Sequence, residues 1–178
     1  MFHLIILPGN SLKNRAWGES VLEHYAPQFD SAHMLNYSHW ESGDKNINFL
    51  VEQNKLLAHA ATLPTGTEII IFAKSAGSLL AFKAVGAGAI TPTKCIFFGI
   101  PFDLAAEDIF KDAWDVVDTF LLPTLAFHNV EDPTTSYDFT KTTLDSHAPA
   151  VNFITTHEAD HWYGDFVKYD EHILPFLQ

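Results

Sequence analysis

The sequence predicts an α/β protein, a three-layer sandwich in which a six-stranded, mostly parallel sheet has helices on both faces. Apolar runs of strand length alternate with helical patterns along the chain, which is typical of a parallel sheet. Two of those runs, residues 4–7 and 69–72, are apolar without alternation, as burial on both faces requires. Prolines stand beside the runs, because proline cannot donate a hydrogen bond within a central strand. Since no repeat or linker interrupts the pattern, we expect one domain over residues 1–178.

The elements can be placed in order along the chain. Each strand is an apolar, β-branched or aromatic run bounded by turn residues, and each helix is a segment with apolar residues every three or four positions. The predicted strands cover residues of about 3–7, 32–37, 68–73, 95–99, 124–128 and 151–155. The clearest predicted helices cover 12–26, 45–61, 75–86 and 165–174, with weaker patterns at 104–120 and 135–146.

The segment between the fourth and fifth strands, residues 103–122, bears on the shape of any pocket. It has room for one amphipathic helix around Phe110, Trp114 and Val117, but it is too short for a large lid. We therefore expect an open or shallow pocket.

Composition narrows the class of protein. With 178 residues, 47% of them apolar, the chain is long enough to bury a core without disulfides. The net charge of −12 argues against nucleic acid or an anionic membrane as a partner, and the N-terminal apolar run is too short for a membrane span. The single cysteine, Cys95, cannot form an internal disulfide, which together with the lack of a signal-peptide pattern favours a cytoplasmic location. Oligomeric state is not predicted.

Nucleotide cofactors are not expected. The tripeptide ending at Ser75 resembles the end of a phosphate-binding loop, but Glu68 and Ala73 occupy the two glycine positions and a strand lies between them. The glycine-rich dinucleotide fingerprint is also missing after the first strand, where residues 8–13 read Pro-Gly-Asn-Ser-Leu-Lys. We predict no cofactor and no metal.

The most informative stretch is residues 69–82, in which a strand, a sharp turn holding Ser75 and a helix follow one another. This is the layout of a nucleophile elbow, which exposes a serine hydroxyl above the strand ends. The usual pattern is Gly-x-Ser-x-Gly, and here Ala73 replaces the first glycine while Gly77 keeps the second. An ordinary strand–helix turn that happens to hold a serine is the alternative.

A nucleophilic serine needs a base and an orienting carboxylate, and both types of residue follow later strands. Asp132 comes after the fifth strand, and His161, followed by aromatic residues and Gly164, comes after the last. The order serine, acid, histidine resembles the α/β-hydrolase family, in a minimal form without a cap domain. The resemblance implies that Ser75 attacks an acyl carbon, His161 relays the proton and Asp132 orients His161. It also implies the spatial strand order 2-1-3-4-5-6.

Other residues compete for these roles. Glu131 adjoins Asp132, and Asp103 follows the fourth strand, where some members of the family place the acid. His157 competes with His161, but the aromatic residue and the glycine after His161 favour the latter.

The oxyanion of an acyl transfer needs two backbone amides aimed at it. The resemblance places the first on Ala76, and the second on Asn10 in the loop after the first strand, with Ser11 as the alternative donor. A plain turn with Asn10 or Ser11 capping the next helix is the competing interpretation.

Five further residues are predicted, on weaker grounds, to border the substrate pocket, because each follows a strand or adjoins a predicted catalytic residue. They are Ser11, Lys74, His39, Trp40 and Trp162.

Residues 157–161 also match His-Glu-x-x-His, the zinc-protease pattern, in which both histidines must share a helical face. The context is poor because the pattern follows directly on a strand, although Asp170 or Glu171 could supply a third ligand. We predict a serine hydrolase that cleaves a small or extended acyl ester or thioester through an acyl-enzyme. The alternatives are a hydrolase-fold binding protein without turnover and, less favoured, a zinc hydrolase. The physiological substrate is not predicted.

Overall fold

A single sheet runs through the centre of the molecule. The computed structural model describes residues 1–104 and 115–178 of the chain. All strand pairs are parallel, in the spatial order β2-β1-β3-β4-β5-β6, which confirms the predicted sheet and its order. The strands are β1 (Phe2–Leu7), β2 (Ser31–Met34), β3 (Glu68–Lys74), β4 (Lys94–Phe98), β5 (Thr124–Asn129) and β6 (Val151–Thr156).

Helices connect the strands. They are α1 (Asn14–Tyr25), α2 (Ser38–Ser42), α3 (Phe49–Ala60), α4 (Ala76–Gly86), α5 (Asp115–Asp118), α6 (Tyr137–His147) and α7 (Asp170–Leu177), with short 3₁₀ turns at Ala26–Gln28 and Phe166–Lys168. The predicted helix at 45–61 begins only at Phe49, because the Asn48 side chain caps it by accepting a hydrogen bond from the amide of Val51. Of the helix predicted around Phe110, Trp114 and Val117, the first two residues lie outside the described residues, so the expectation of a shallow pocket stays a prediction.

The second strand is shorter than predicted. The sheet ends at Met34, although the amide of Leu35 still donates to the carbonyl of Ile6 at 3.0 Å. Tyr37 then turns inward, where it is buried and donates from its hydroxyl to the carbonyl of Pro8 at 2.7 Å. Leu35 and Tyr37 therefore belong to the core beneath the loops, not to the strand, and they lead into the unpredicted helix α2.

Hydrophobic cores lie on both faces of the sheet, which makes the three layers. On β1 the side chains alternate, with Ile5 and Leu7 in one core and Leu4 and Ile6 in the other. The first core includes residues of α3, α4 and α6, and the second includes residues of α1 and α7. Burial on both faces explains why the strands read as continuous apolar runs. Within the described ranges, no helix has the length and apolar character needed to cross a bilayer.

Helix α1 connects the N-terminal part of the fold to the loop after β6. Trp17, Val21 and Tyr25 recur every four residues and are buried on its inner face. The indole of Trp17 donates to the carbonyl of Tyr163 at 3.0 Å, in the loop after β6. The loops after β1 and β6 are thereby held at the carboxyl edge of the sheet, where parallel α/β proteins bind ligands.

Candidate active site

Ser75 lies in a strained turn between β3 and α4. Its backbone has φ 52° and ψ −125°, a positive-φ conformation that costs a residue with a side chain about 1–3 kcal/mol. The turn is held by two hydrogen bonds, from the Ser75 amide to Phe98 O at 2.9 Å and from Ser78 N to Ser75 O at 2.9 Å. At Gly77 a Cβ atom would lie 2.0 Å from the carbonyl oxygen of Leu7, so only glycine lets α4 approach β1 this closely.

His161 and Asp132 form a hydrogen-bonded pair. Nδ1 of His161 lies 2.7 Å from Oδ2 of Asp132, whose side chain is completely buried. Because a carboxylate accepts this bond, Nδ1 carries the proton, and in the neutral ring Nε2 keeps its lone pair. Within the described part of the chain, Nε2 has no hydrogen-bond partner. The imidazole is therefore oriented by a carboxylate on one side and free to take a proton on the other.

The carboxylate of Asp132 is held by several donors. Tyr163 donates from its hydroxyl to Oδ2 at 2.6 Å, and the amides of Thr134 and Thr135 donate to Oδ1 at 2.8 and 3.3 Å. Burial acts to raise the pKa of Asp132, but the hydrogen bonds from His161 and Tyr163 outweigh it and the pKa is lowered. Asp132 is therefore ionised at neutral pH.

Tyr163 is a site residue that the sequence analysis missed. Its backbone also has a positive φ of 52°, and its hydroxyl accepts a hydrogen bond from the Asn129 amide at 3.1 Å while it donates to Asp132. Its ring meets the His161 ring edge-on at 5.7 Å. Burial raises the pKa of Tyr163 far above its ordinary value, so the hydroxyl stays a donor. In the sequence, Tyr163 stands two positions after His161, where the pattern predicts only an aromatic turn.

The rival acids have other surroundings. Asp103 accepts from the Thr135 hydroxyl at 2.7 Å and from the Ser136 amide at 2.9 Å, and it thereby holds the start of α6. Glu131 is exposed. Among the three acids considered, the structure brings only Asp132 to the imidazole of His161.

The His-Glu-x-x-His pattern is not helical. Residues 157–161 form an irregular turn after β6, so His157 and His161 do not share a helical face, and His157 is exposed. Asp170, considered as a third ligand, instead accepts hydrogen bonds from His24 and Tyr25. Within the described ranges no group of three or more metal-binding side chains is found.

The predicted oxyanion donors flank Ser75. Ala76 is the first residue of α4, and helix N-termini carry amides without partners inside the helix. Asn10 uses its side chain to hold a neighbouring loop: Oδ1 accepts from Ile47 N at 2.7 Å, and Nδ2 donates to Lys45 O at 3.1 Å. The backbone carbonyl of Asn10 also accepts hydrogen bonds. Its backbone amide is then the polar group of Asn10 that makes no hydrogen bond to the described residues.

Several predicted pocket residues have a supporting position instead. His39 and Trp40 both donate to the carbonyl of Asn10, at 2.7 and 2.9 Å, and so fix the loop after β1. Lys74 is only 2% exposed and does not line the cavity, because its ammonium points towards Asn14. Trp162 is 43% exposed, with its ring 5.1 Å from the Lys74 ammonium.

A cavity of about 700 Å³ opens above Ser75. Ser75, Ala76 and His161 border it together with Asn10 and Ser11. Its other walls are polar but uncharged or apolar, and no lysine, arginine, aspartate or glutamate of the described chain lines it. They are formed by Asn14, Asn46, Ile47, Phe49, Leu79, Pro101, Leu104 and Thr134.

Solved structures with the same architecture include an alpha-beta serine hydrolase homologue from Coxiella burnetii. The match covers 100% of this chain and 85% of that one, with a TM-score of 0.75 and 14% sequence identity. The chain has the α/β-hydrolase fold. This agrees with the resemblance that the sequence carries.

Two further structures share the α/β-hydrolase fold with this chain. Alpha/beta hydrolase domain-containing protein 10 from mouse has a TM-score of 0.69 and 16% identity, over 97% of this chain and 86% of that one. Acyl-protein thioesterase 2 from Zea mays has a TM-score of 0.68 and 12% identity, over 99% of this chain and 94% of that one. No protein-family model matches the chain, and no curated protein matches it by sequence.

Proposed function

We propose that this protein is a serine hydrolase that cleaves an uncharged acyl ester or thioester through a covalent acyl-enzyme. The observation that carries the proposal is the hydrogen bond of His161 to Asp132 at the cavity that Ser75 also lines, with Nε2 of His161 making no hydrogen bond to the described residues. A serine nucleophile, a base and a carboxylate that orients the base are the parts that this chemistry requires.

The reaction has two halves. His161 Nε2 takes the proton of the Ser75 hydroxyl as Oγ forms a bond to the acyl carbon, and the carbonyl oxygen becomes an oxyanion held by the amides of Ala76 and Asn10. The oxyanion then collapses, the bond to the leaving oxygen or sulfur breaks, and His161 gives its proton to the leaving group. Water attacks the acyl-enzyme in the same way, which releases the acid and restores the serine.

In the free protein, Ser75 and His161 are not hydrogen-bonded to each other. Catalytic hydrogen bonds of this kind are often loose in the absence of substrate and tighten in the complex.

The uncharged lining of the cavity indicates the substrate class. An acyl group with a carboxylate would find no cationic side chain among the described wall residues to replace its lost hydration. The net charge of −12 also opposes approach of polyanionic carriers. Neutral esters and small thioesters fit best, and one similar structure is an acyl-protein thioesterase.

The test is labelling with a fluorophosphonate, together with hydrolysis of p-nitrophenyl acetate and butyrate. We expect the wild type to be labelled and active, and Ser75→Ala to lose both. Ser78→Ala is the matched control, because Ser78 lies one turn along the same helix and its buried hydroxyl has no hydrogen-bond partner among the described residues. A wild type that neither labels nor hydrolyses, or a Ser75→Ala variant with unchanged turnover, would contradict the proposal. A chelator included in parallel should change nothing, and chelator-sensitive turnover would favour a metal hydrolase.

A further inference from the structure

A buried lysine lies directly beneath the candidate active site. Lys74 immediately precedes Ser75, and its side chain is 2% exposed. Within the described ranges no carboxylate forms an ion pair with it, and its ammonium instead lies 5.1 Å from the Trp162 ring and 6.0 Å from the Trp17 ring. A buried cation without an ion-pair partner is costly, so the polar groups that contact it matter for its stability.

The hydrogen-bond partner of that lysine is an asparagine at the start of α1. Nζ of Lys74 lies 2.6 Å from Oδ1 of Asn14. An ammonium group donates only, so the atom facing it must be the amide oxygen and not the amide nitrogen. This fixes the orientation of the Asn14 amide, and its NH₂ group must point away from Lys74.

The NH₂ group of Asn14 lies near Ser75. A Cβ atom at Gly9 would lie 2.6 Å from Asn14 Nδ2 and 3.2 Å from Ser75 Cβ, so both side chains border the same point over the loop after β1. Asn14 lines the cavity together with Ser75 and Ala76. No residue of the described chain accepts a hydrogen bond from Nδ2. The side chain thus presents free donors beside the predicted oxyanion amides.

We infer that Asn14 is a third oxyanion donor and that Lys74 is the positioning residue that aims it. The inference rests on the proposed function and extends it. In the acylation and deacylation steps, an N–H of Asn14 donates to the carbonyl oxygen of the acyl group as that oxygen gains negative charge, and no bond of Asn14 forms or breaks. Lys74 keeps Oδ1 occupied and adds a positive charge behind the amide dipole.

The surroundings of Lys74 agree with this role. Burial lowers the pKa of Lys74 to about 8, while attraction from Asp132 and Asp160 limits the drop. The ammonium is thus protonated at neutral pH, in a site with few water contacts, where a fixed charge acts more strongly than in water. The position of the Asn14 amide also requires a glycine at position 9, since any side chain on Gly9 would displace that amide.

The decisive variant is Asn14→Asp, compared with Asn14→Ala. Aspartate keeps the shape and accepts from Lys74, so we expect a melting temperature at or above that of the wild type. It has no N–H to donate, so we expect kcat to fall by about 10²-fold or more with KM changed less than about threefold. Asn14→Ala removes the donor without adding a charge and should also lower kcat by about 10²-fold. Asn54→Ala, at an exposed position of α3, is the matched control and should retain full activity.

A transition-state analogue gives a readout that a structural role would not move. A trifluoromethyl ketone forms a tetrahedral adduct with a serine nucleophile, and its oxyanion should occupy the same donors. We expect both Asn14 variants to weaken its inhibition by about the same factor as kcat/KM. Lys74→Met should lower kcat by roughly 10-fold, and in an Asn14→Ala background it should cause little further loss, because Lys74 acts through Asn14.

The outcomes separate the two proposals. Asn14 variants with kcat and analogue affinity within threefold of a wild type that labels at Ser75 would overturn the inference and leave the serine hydrolase intact. An equal loss in Asn54→Ala, or additive losses from Lys74→Met and Asn14→Ala, would also overturn it. A wild type without labelling or turnover would remove the proposed function and this inference with it.

Discussion

The hydroxyl of Tyr163 donates a hydrogen bond of 2.6 Å to Oδ2 of Asp132, the same oxygen that accepts from His161. Two donors on one carboxylate oxygen hold it in place and favour its ionised form. His161, Asp132 and Tyr163 thus form one connected hydrogen-bond network between the loops after β5 and β6. A change in any member should affect the others.

The first prediction concerns that network. Tyr163→Phe removes one donor from Asp132, so the pKa of this carboxyl should rise towards its ordinary value. Because Asp132 must be ionised to orient His161, activity should be lost at a higher pH as the solution is acidified. We expect kcat near neutral pH to fall by roughly 3- to 10-fold, since the net contribution of one hydrogen bond is about 0.5–1.5 kcal/mol. The pH–rate profile measures this, with Tyr137→Phe as the control, and unchanged profiles in both variants would contradict it.

The second prediction separates the candidate acids. Asp132→Asn should lower kcat by about 10⁴-fold, because the amide favours the wrong imidazole tautomer. Asp103→Asn should leave kcat within a few-fold of the wild type and lower the melting temperature, since Asp103 accepts from Thr135 and Ser136 at the start of α6. Steady-state kinetics with thermal melts of both variants give the comparison. Equal losses of kcat would show that the two carboxylates cannot be told apart in this way.

How far the sequence predicts this site depends on how local each signal is. Ser75, Asp132 and His161 each follow a strand, and in a parallel sheet those positions converge on one edge, so sequence order alone brings them close. The Asn14–Lys74 contact joins residues 60 apart, and the Tyr163–Asp132 contact joins residues 31 apart. Such contacts depend on the inward rotation of single side chains, which periodicity does not encode. Asn14 and the role of Tyr163 therefore had to come from the structure.

His39 and Trp40 show the same limit in another form. Their position after β2 predicts that both side chains lie in the pocket wall. In the structure they donate to the carbonyl of Asn10 from behind the loop. The strand that a residue follows predicts which part of the fold the residue lies in. The direction in which its side chain points depends on tertiary packing.

The third prediction follows from that support. His39→Phe removes a buried donor to the Asn10 carbonyl and should loosen the loop that carries the predicted oxyanion amide, with kcat lowered about 10-fold. His39→Gln restores a donor of similar reach to Nε2 and should recover part of the loss. Initial rates with a p-nitrophenyl ester measure both variants, with melting temperatures taken in parallel. Recovery of stability without recovery of kcat would argue against a role in positioning Asn10.

The fourth prediction concerns three neighbouring histidines on β1, β2 and α3. His3 and His59 share a hydrogen bond of 2.9 Å between their Nε2 atoms, and the rings of His33 and His59 stack at 3.8 Å. Burial, and then the neighbouring His59, His3 and Lys55, lower the pKa of His33 to about 4. Burial also lowers the pKa values of His3 and His59, and for His3 the neighbouring His59 adds to the effect. All three rings are therefore neutral in the folded protein at neutral pH.

The sign of the pH effect follows from these lowered values. As the pH falls below about 6.5, the unfolded chain takes up protons that the folded cluster resists, so the folded state loses stability from there down to about pH 4. We expect the melting temperature at about pH 5 to lie several degrees below that at about pH 7.5. His59→Gln should reduce this difference, because glutamine cannot acquire a charge. The loss of the His59 imidazole also relieves the repulsion on His33. His157→Gln, at an exposed position, should leave the difference unchanged, and a pH dependence equal in all three proteins would assign the effect to groups other than this cluster.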